Sequence, residues 1–338
     1  VSIFQENVAY RPFVYPWAVE AEKRHRIDMH WHENQVELQD DLRQFTTKGG
    51  MATPNVSHES NKNMLEKLLL LFTEMDVQVG TGYAKLLGHV KNNEIRTLWM
   101  TFAQREVAHQ RGYALAAETF GYTNSDWSEF KQYKEMMDKI DIITQDVGDL
   151  SNKLNFAKAL SVLFLGEGIS LFGAFACLLN LKRFGVAQNF NTINEWSLKD
   201  EHDHVMRNIQ IWKTIKDEDL SEQENYELDQ FVQCAVEQYI QAEHKFLDLV
   251  FEMGDQEQMS LQEAKDFIVY LGKLRLFQAG IIERDQVPKN PLPWIDYLLT
   301  GSTHTNFFES RVVDYSHNKL SGEINYEIYK SKLADRMV

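Results

Sequence analysis

Two cysteines, Cys177 and Cys234, are all the chain contains. They cannot build a disulfide framework or a thiolate zinc site, and they fit a reducing, cytoplasmic setting. Turn material is scarce too, with six prolines and 17 glycines in 338 residues. That disfavours many short strands and favours long helices. Basic charge is in deficit: 35 Lys and Arg stand against 50 Asp and Glu, for a net −15. Such a surface repels phosphate backbones, so no nucleic-acid partner is expected. The opening residues, Val1-Ser-Ile-Phe-Gln-Glu, lack a basic stretch followed by an apolar one, so no secretory signal is expected. Long apolar runs are limited to one, Phe156 to Leu181. It is long enough to span a bilayer. Glu167 sits at its centre between Gly166 and Gly168, however, and a carboxylate there is expensive in lipid. The segment therefore reads as a helix buried on all sides in a large bundle, with no membrane partner.

What the sequence does have is helical periodicity. Apolar residues are 43% and charged residues 25%, the balance of an ordered globular protein. Leu65, Leu68, Leu69, Phe72, Met75, Val79, Tyr83 and Leu86 mark one helix between Asn61 and His89. A second runs from Glu94 to Phe120 and is closed by Gly121; a shorter one covers Trp127–Thr144. Beyond the apolar run, helices are expected at about Gln188–Ile215, Gln223–Met253 and Ser260–Gln278, with a charged loop at Asp217–Asp219. Pro288, Pro291 and Pro293 end the helical body. The expected organisation is an N-terminal arm with a short helix near Val36–Phe45 (1–60), a helical domain (61–300) and a polar C-terminal tail (301–338).

Two helices carry the same short motif. Glu106-Val-Ala-His109 and Glu201-His-Asp-His204 are both Glu-x-x-His, and positions three apart share a helix face. With 11 His and 29 Glu, about one such pair arises by chance, so the motif alone says little. The context says more. Two further helices each place a carboxylate among apolar neighbours: Asp76 in LLLLFTEMDVQVG and Glu167 in LFLGEGISLFG. A buried carboxylate must be neutralised, paired or bound to metal. Glu167 paired with a lysine is the plain alternative, and Glu74 rivals Asp76. Two lone carboxylates and two Glu-x-x-His pairs on four helices form the ligand pattern of ferritin-like dimetal carboxylate bundles. Oxygen-rich ligation with imidazole suits Fe or Mn. The expected fold is all-α and ferritin-like.

Over most of its length the sequence also resembles the small, radical-generating subunit of class I ribonucleotide reductase. HWHENQVEL, DVQVG, REVAHQRGY, GEGISLFGAFAC, KDEHDH and KNPLPWIDYLLTGSTHTNFFESRVVDY carry the resemblance. It implies that Asp76, Glu106 and His109 bind one metal, and Glu167, Glu201 and His204 the other, with Glu106 and Glu201 bridging. The pair would be Fe/Fe, with Mn/Fe and Mn/Mn open. Tyr113 occupies the position of the radical-bearing tyrosine; Phe there would have pointed to a radical-free subclass. Trp31 matches a relay tryptophan, Asp200 the aspartate that bonds His109, and Tyr315 the tail tyrosine that passes the oxidising equivalent on. Tyr326 and Tyr329 rival Tyr315 by composition. O2 would activate the metals, the protein would form a homodimer, and its tail would dock the large subunit. Departures are Leu171, where Phe is frequent although Phe175 keeps its match, Ser197, where an aliphatic residue is usual, and Lys199, where Arg is frequent. Rival readings are a related ligand-binding oxidase or other dimetal oxygenase, which has no use for Trp31, and an iron-storing cage, whose subunits are about half this length.

Overall fold

In a computed structural model of the protein, residues 2–7 and 10–296 are described. Among them the chain forms eleven α-helices and no sheet. The long rods are α3 (His58–Leu87), α4 (Asn93–Phe120), the pair α7 (Lys153–Leu165) and α8 (Leu171–Arg183), α9 (Phe190–Asp219), α10 (Glu222–Val250) and α11 (Leu261–Ala279). Shorter helices are α1 (Pro16–Lys23), α2 (Gln39–Thr46), α5 (Asn124–Phe130) and α6 (Lys134–Ile143). Local chemistry sets the ends. Ser57 and Asn92 cap α3 and α4 by accepting from Ser60 N and Ile95 N. Ser221 with Glu224, and Ser260 with Glu263, close reciprocal capping boxes on α10 and α11. Gly121 ends α4 at φ 93°, a left-handed turn that glycine adopts without strain.

The bundle is organised by which faces these rods can bury. α3 lies along α4, α7 and α8 lie against α9, and α10 with α11 covers the outer side. The apolar run forms the central rod, Lys153–Arg183; its most apolar stretch is long enough to cross a membrane and is wholly buried inside the fold. Between α7 and α8 the rod loosens into one π-helical turn, Gly166–Ser170, which carries Glu167. Such turns widen a helix by one residue and free a carbonyl. Three buried side chains from outer helices take up carbonyls here: Tyr239 Oη donates to Val162 O at 2.7 Å, Arg275 Nε to Gly168 O at 3.1 Å and Lys139 Nζ to Ser170 O at 3.1 Å.

Several boundaries differ from the sequence reading. Trp127–Thr144 is two helices broken at Lys131–Tyr133, where Gln132 N and Tyr133 N bond carbonyls three residues back and tighten a turn. α9 continues through Asp217–Asp219, because Asp219 accepts from Ser2 and Lys153 and holds that last turn in place. The N-terminal region contains α1, begun by Pro16 at its first position, followed by a π-helical turn over Arg24–Asp28. Tyr315, Tyr326, Tyr329 and the tail lie outside the described residues.

Candidate metal centre

Along α9, Asn194, Ser197, Asp200, Glu201, His204 and Asn208 are all buried and recur at helical spacing. A polar stripe inside a bundle is costly unless it meets partners. The facing helices supply them: Asp76 from α3, Glu106 and His109 from α4, and Glu167 from the π turn. Asp76, Glu106, His109 and Glu201 form one group, and Glu106, Glu167, Glu201 and His204 a second, with the ligand-type atoms of each group within 4.8 Å of one another. Glu106 and Glu201 belong to both. Each of the six side chains is at most 1% exposed. Glu74 turns elsewhere and pairs with Lys131 at 2.9 Å.

Both imidazoles present Nδ1 to the cluster. His109 Nδ1 lies 3.0 Å from Glu201 Oε1 and 3.4 Å from Glu106 Oε2. His204 Nδ1 lies 3.1 Å from Glu106 Oε1 and 3.5 Å from Glu167 Oε1. The electrostatics are those of crowded anions and cations without solvent. Burial drives the Asp76 carboxyl well above its ordinary value, and the Glu106 charge adds to this, against an opposing pull from His109. Burial, opposed by His204, carries Glu167 up to about 7. Glu106 is buried too, but His109 and His204 hold it down at about 2. Burial disfavours both imidazolium ions; the surrounding carboxylates outweigh it and raise His109 and His204 well above the ordinary imidazole value.

Behind His109 runs a second layer. His109 Nε2 lies 3.1 Å from Asp200 Oδ2, and the same oxygen accepts from Trp31 Nε1 at 2.9 Å and from Arg105 Nε and a terminal guanidinium nitrogen at 3.1 and 3.0 Å. Asp200 is held below the ordinary carboxylate value: burial works against this, and the Arg105 charge and the His109 bond overcome it. Trp31 stacks on His109 at 5.8 Å and is capped by the Arg105 guanidinium 4.7 Å from its ring. Tyr113 is fully buried, stacked on Phe72 at 4.5 Å and edge-on to Phe190. Its hydroxyl donates to Asn194 Oδ1 at 3.2 Å. Burial and then the Asp76 charge push its ionisation well above the ordinary phenol value, with the Ser197 hydroxyl opposing. Phe175 packs on Phe72, and Leu171 is fully buried.

Spacing could have found some members that the sequence reading missed. Arg105 precedes His109 by four residues, Asn208 follows His204 by four and Tyr83 follows Asp76 by seven, so each shares a face with a ligand-type residue. Tyr83 Oη donates to Glu167 Oε1 at 2.7 Å, and Asn208 Nδ2 donates to Glu167 Oε2 at 3.0 Å. His25 carried no such signal. The π turn over Arg24–Asp28 presents it, fully buried, against His204 at 5.0 Å between ring centres and Asp203 at 3.0 Å.

Residues 7–283 match the family model described as ribonucleotide reductase, small chain. The sequence is 29% identical over 340 residues to the probable ribonucleoside-diphosphate reductase small subunit of Invertebrate iridescent virus 3, covering 96% of this protein and 88% of that one. It is 22% identical over 337 residues to the ribonucleoside-diphosphate reductase small chain of Plasmodium falciparum, covering 94% of this protein and 86% of that one. Among solved structures, the ribonucleotide reductase R2 subunit from Clostridium botulinum superposes with a TM-score of 0.74 at 19% identity, covering 88% of this protein and 94% of that one. The Rnr4 homodimer of Saccharomyces cerevisiae gives 0.70 at 16% identity, covering 93% and 92%.

Proposed function

The protein belongs to the ribonucleotide reductase small-chain family and has the function of a ribonucleoside-diphosphate reductase small subunit; from that premise we propose that it generates a tyrosyl radical at Tyr113 beside a dimetal centre and delivers the oxidising equivalent to a large subunit. The supporting observation is a set of buried atoms that converge on one point and meet only one another, in imidazole–carboxylate contacts: Asp76 Oδ2, both oxygens of Glu106 and of Glu201, His109 Nδ1 and His204 Nδ1. Donor and acceptor atoms confined to such contacts in a protein interior are costly, and two divalent cations would satisfy these together. Four carboxylates balance the charge of two such ions, and the mixed oxygen and imidazole set suits Fe or Mn. Asp76, Glu106 and His109 would hold one ion and Glu167, Glu201 and His204 the other, Glu106 and Glu201 serving both.

When bound, a redox metal pair supplies a one-electron oxidant generated with O2. The protein's part is positional. Asp200, bonded to Nε2 of His109, fixes that ring with Nδ1 toward the centre. Phe72 and Phe190 wall the Tyr113 ring, with Phe175 packed behind Phe72, and together they keep water from it. Trp31, Asp200 and His109 form a hydrogen-bonded line from the centre toward the N-terminal segment, and Tyr315 would continue it toward the large subunit, docked by the tail. A related oxygenase has no role for that line. Met100 and Val107, seven residues apart on one face of α4, are about half exposed and would pack in a homodimer.

The test is loading with Fe(II) and O2 followed by EPR. A persistent tyrosyl signal that is lost in Tyr113→Phe, with metal content unchanged, is the expected result. Absence of any tyrosyl signal and of any high-valent metal signal from the loaded wild type overturns the reading.

A further inference from the structure

Two buried phenols flank the cluster, one beside each half, and they are connected differently. Tyr113 reaches an amide oxygen, that of Asn194, at 3.2 Å. Tyr83 reaches the cluster itself, donating to Glu167 Oε1 at 2.7 Å. It is fully buried, and its ring lies 6.1 Å from that of His204. Asn208 Nδ2 donates both to the Tyr83 oxygen at 2.7 Å and to Glu167 Oε2 at 3.0 Å, so the phenol is held in a closed hydrogen-bonded triangle. Asn208 Oδ1 in turn accepts from Trp99 Nε1 at 2.9 Å, and the Trp99 ring is 6.2 Å from that of Tyr83. An oxidisable indole thus backs an oxidisable phenol on the side of the cluster that neither Tyr113 nor Trp31 serves.

The electron count leaves room for such a donor beside the Trp31 line. Full reduction of O2 to water takes four electrons. Two metal ions rising by one each supply two, and Tyr113 supplies a third. We propose that Tyr83 is a second redox-active tyrosine of this centre and can supply the fourth. The inference rests on the dimetal reading above. In the step, the Tyr83 O–H bond breaks. One electron passes to the oxidised first-row metal pair, which is thereby reduced by one, and the proton passes along the hydrogen bond to Glu167 Oε1. A neutral phenoxyl radical remains, still accepting from Asn208 Nδ2. Return to the phenol takes that proton, one hydrogen bond away on Glu167 Oε1, and one electron from Trp99, so the radical is short-lived, unlike that on Tyr113. Trp99, coupled through Asn208, is the donor placed to refill it.

The experiment is rapid-freeze EPR of the full-length protein after mixing its Fe(II)-loaded form with O2, with and without ring-deuterated tyrosine. In Tyr113→Phe the persistent signal is lost, but a transient signal is expected whose hyperfine lines narrow on deuteration. It falls to baseline in Tyr113→Phe/Tyr83→Phe with metal content unchanged. In Tyr113→Phe/Asn208→Leu the transient remains with a shifted g-value, because the hydrogen bond to the radical oxygen is gone. If wild type gives a signal but Tyr113→Phe is silent at every freezing time, or if the transient survives Tyr83→Phe, the Tyr83 assignment is wrong and the radical-generator reading stands. A wild type silent throughout removes both.

Discussion

Asp200 Oδ2 is the acceptor for four buried N–H groups from three residues, and Arg105 supplies two of them together with a balancing positive charge. Arg105→Met leaves the Asp200 charge buried with weaker compensation and removes the donor to Trp31 O, a bond of 3.2 Å. Breaking a buried ion pair from one side costs about 3–5 kcal/mol. Urea unfolding of the metal-free protein should show a loss of that size, and Trp31 emission should shift. The pH dependence follows from the depressed carboxyl. Asp200 contributes stability above the ordinary carboxylate range and loses it as pH falls through its lower folded value. Removing Arg105 moves that loss to higher pH. The imidazoles have the opposite sign. Raised above the ordinary 6.5, His109 and His204 stabilise the metal-free protein fully below that pH and lose the contribution as pH rises through their folded values. Glu106, held at about 2, stabilises above its ordinary 4.5 and loses this as pH falls through about 2. Metal must displace the imidazolium protons, so loading near neutral pH should release protons and weaken as pH falls. Titration calorimetry in buffers of different ionisation enthalpy measures that release; none at all would contradict the ligand roles of both histidines.

At the scale of elements, the π turn is what allows an otherwise apolar rod to deliver a carboxylate. Glycines let outer helices approach it. A Cβ on Gly168 would stand 2.6 Å from Arg275 Nε, and one on Gly166 would stand 2.7 Å from Ile143 Cδ1. Gly168→Ala therefore displaces Arg275 from the carbonyl it holds. Overpacking of this kind costs about 1–3 kcal/mol, and since it shifts the Glu167 backbone, bound metal should fall from two ions toward one per subunit by elemental analysis. Lys139 and Glu243, paired at 2.5 Å and fully buried, anchor the next carbonyl. Lys139→Met should destabilise more than the double change with Glu243→Leu, because only the single change leaves a buried charge alone. Equal losses would show that the pair is not coupled.

At the scale of the whole molecule, four carboxylates and two imidazoles are packed together at the centre of a fold built around a large apolar core. Metal-free protein carries that burden; loaded protein does not. Binding to the folded state alone stabilises by about 2.7 kcal/mol when free metal is a hundredfold above Kd. Calorimetry should show a higher Tm with Fe(II) or Mn(II) under anaerobic conditions and its reversal by a chelator. An unchanged Tm would argue against a metal centre in this cavity.

Much of this was legible in the sequence alone. Helical period, scarce proline and glycine, and two Glu-x-x-His pairs with two carboxylates in apolar company pointed to an all-α bundle and to the residues to watch, with Glu74 left as a rival of Asp76, because helix geometry converts spacing into a shared face. The apolar run around Glu167 read correctly as a core rod for the same reason. Tertiary structure alone decided the rest. Spacing does not reveal a π turn, which breaks the period it would be read from, so the register of Glu167 and the inward face of His25 were hidden. Nor does it say which of two nearby carboxylates, Glu74 or Asp76, turns inward; that was settled by Lys131 from another segment. The convergence of Trp31, Arg105 and His109 on one oxygen of Asp200 joins segments up to 169 residues apart, and contacts at that range exist only once the rods have packed.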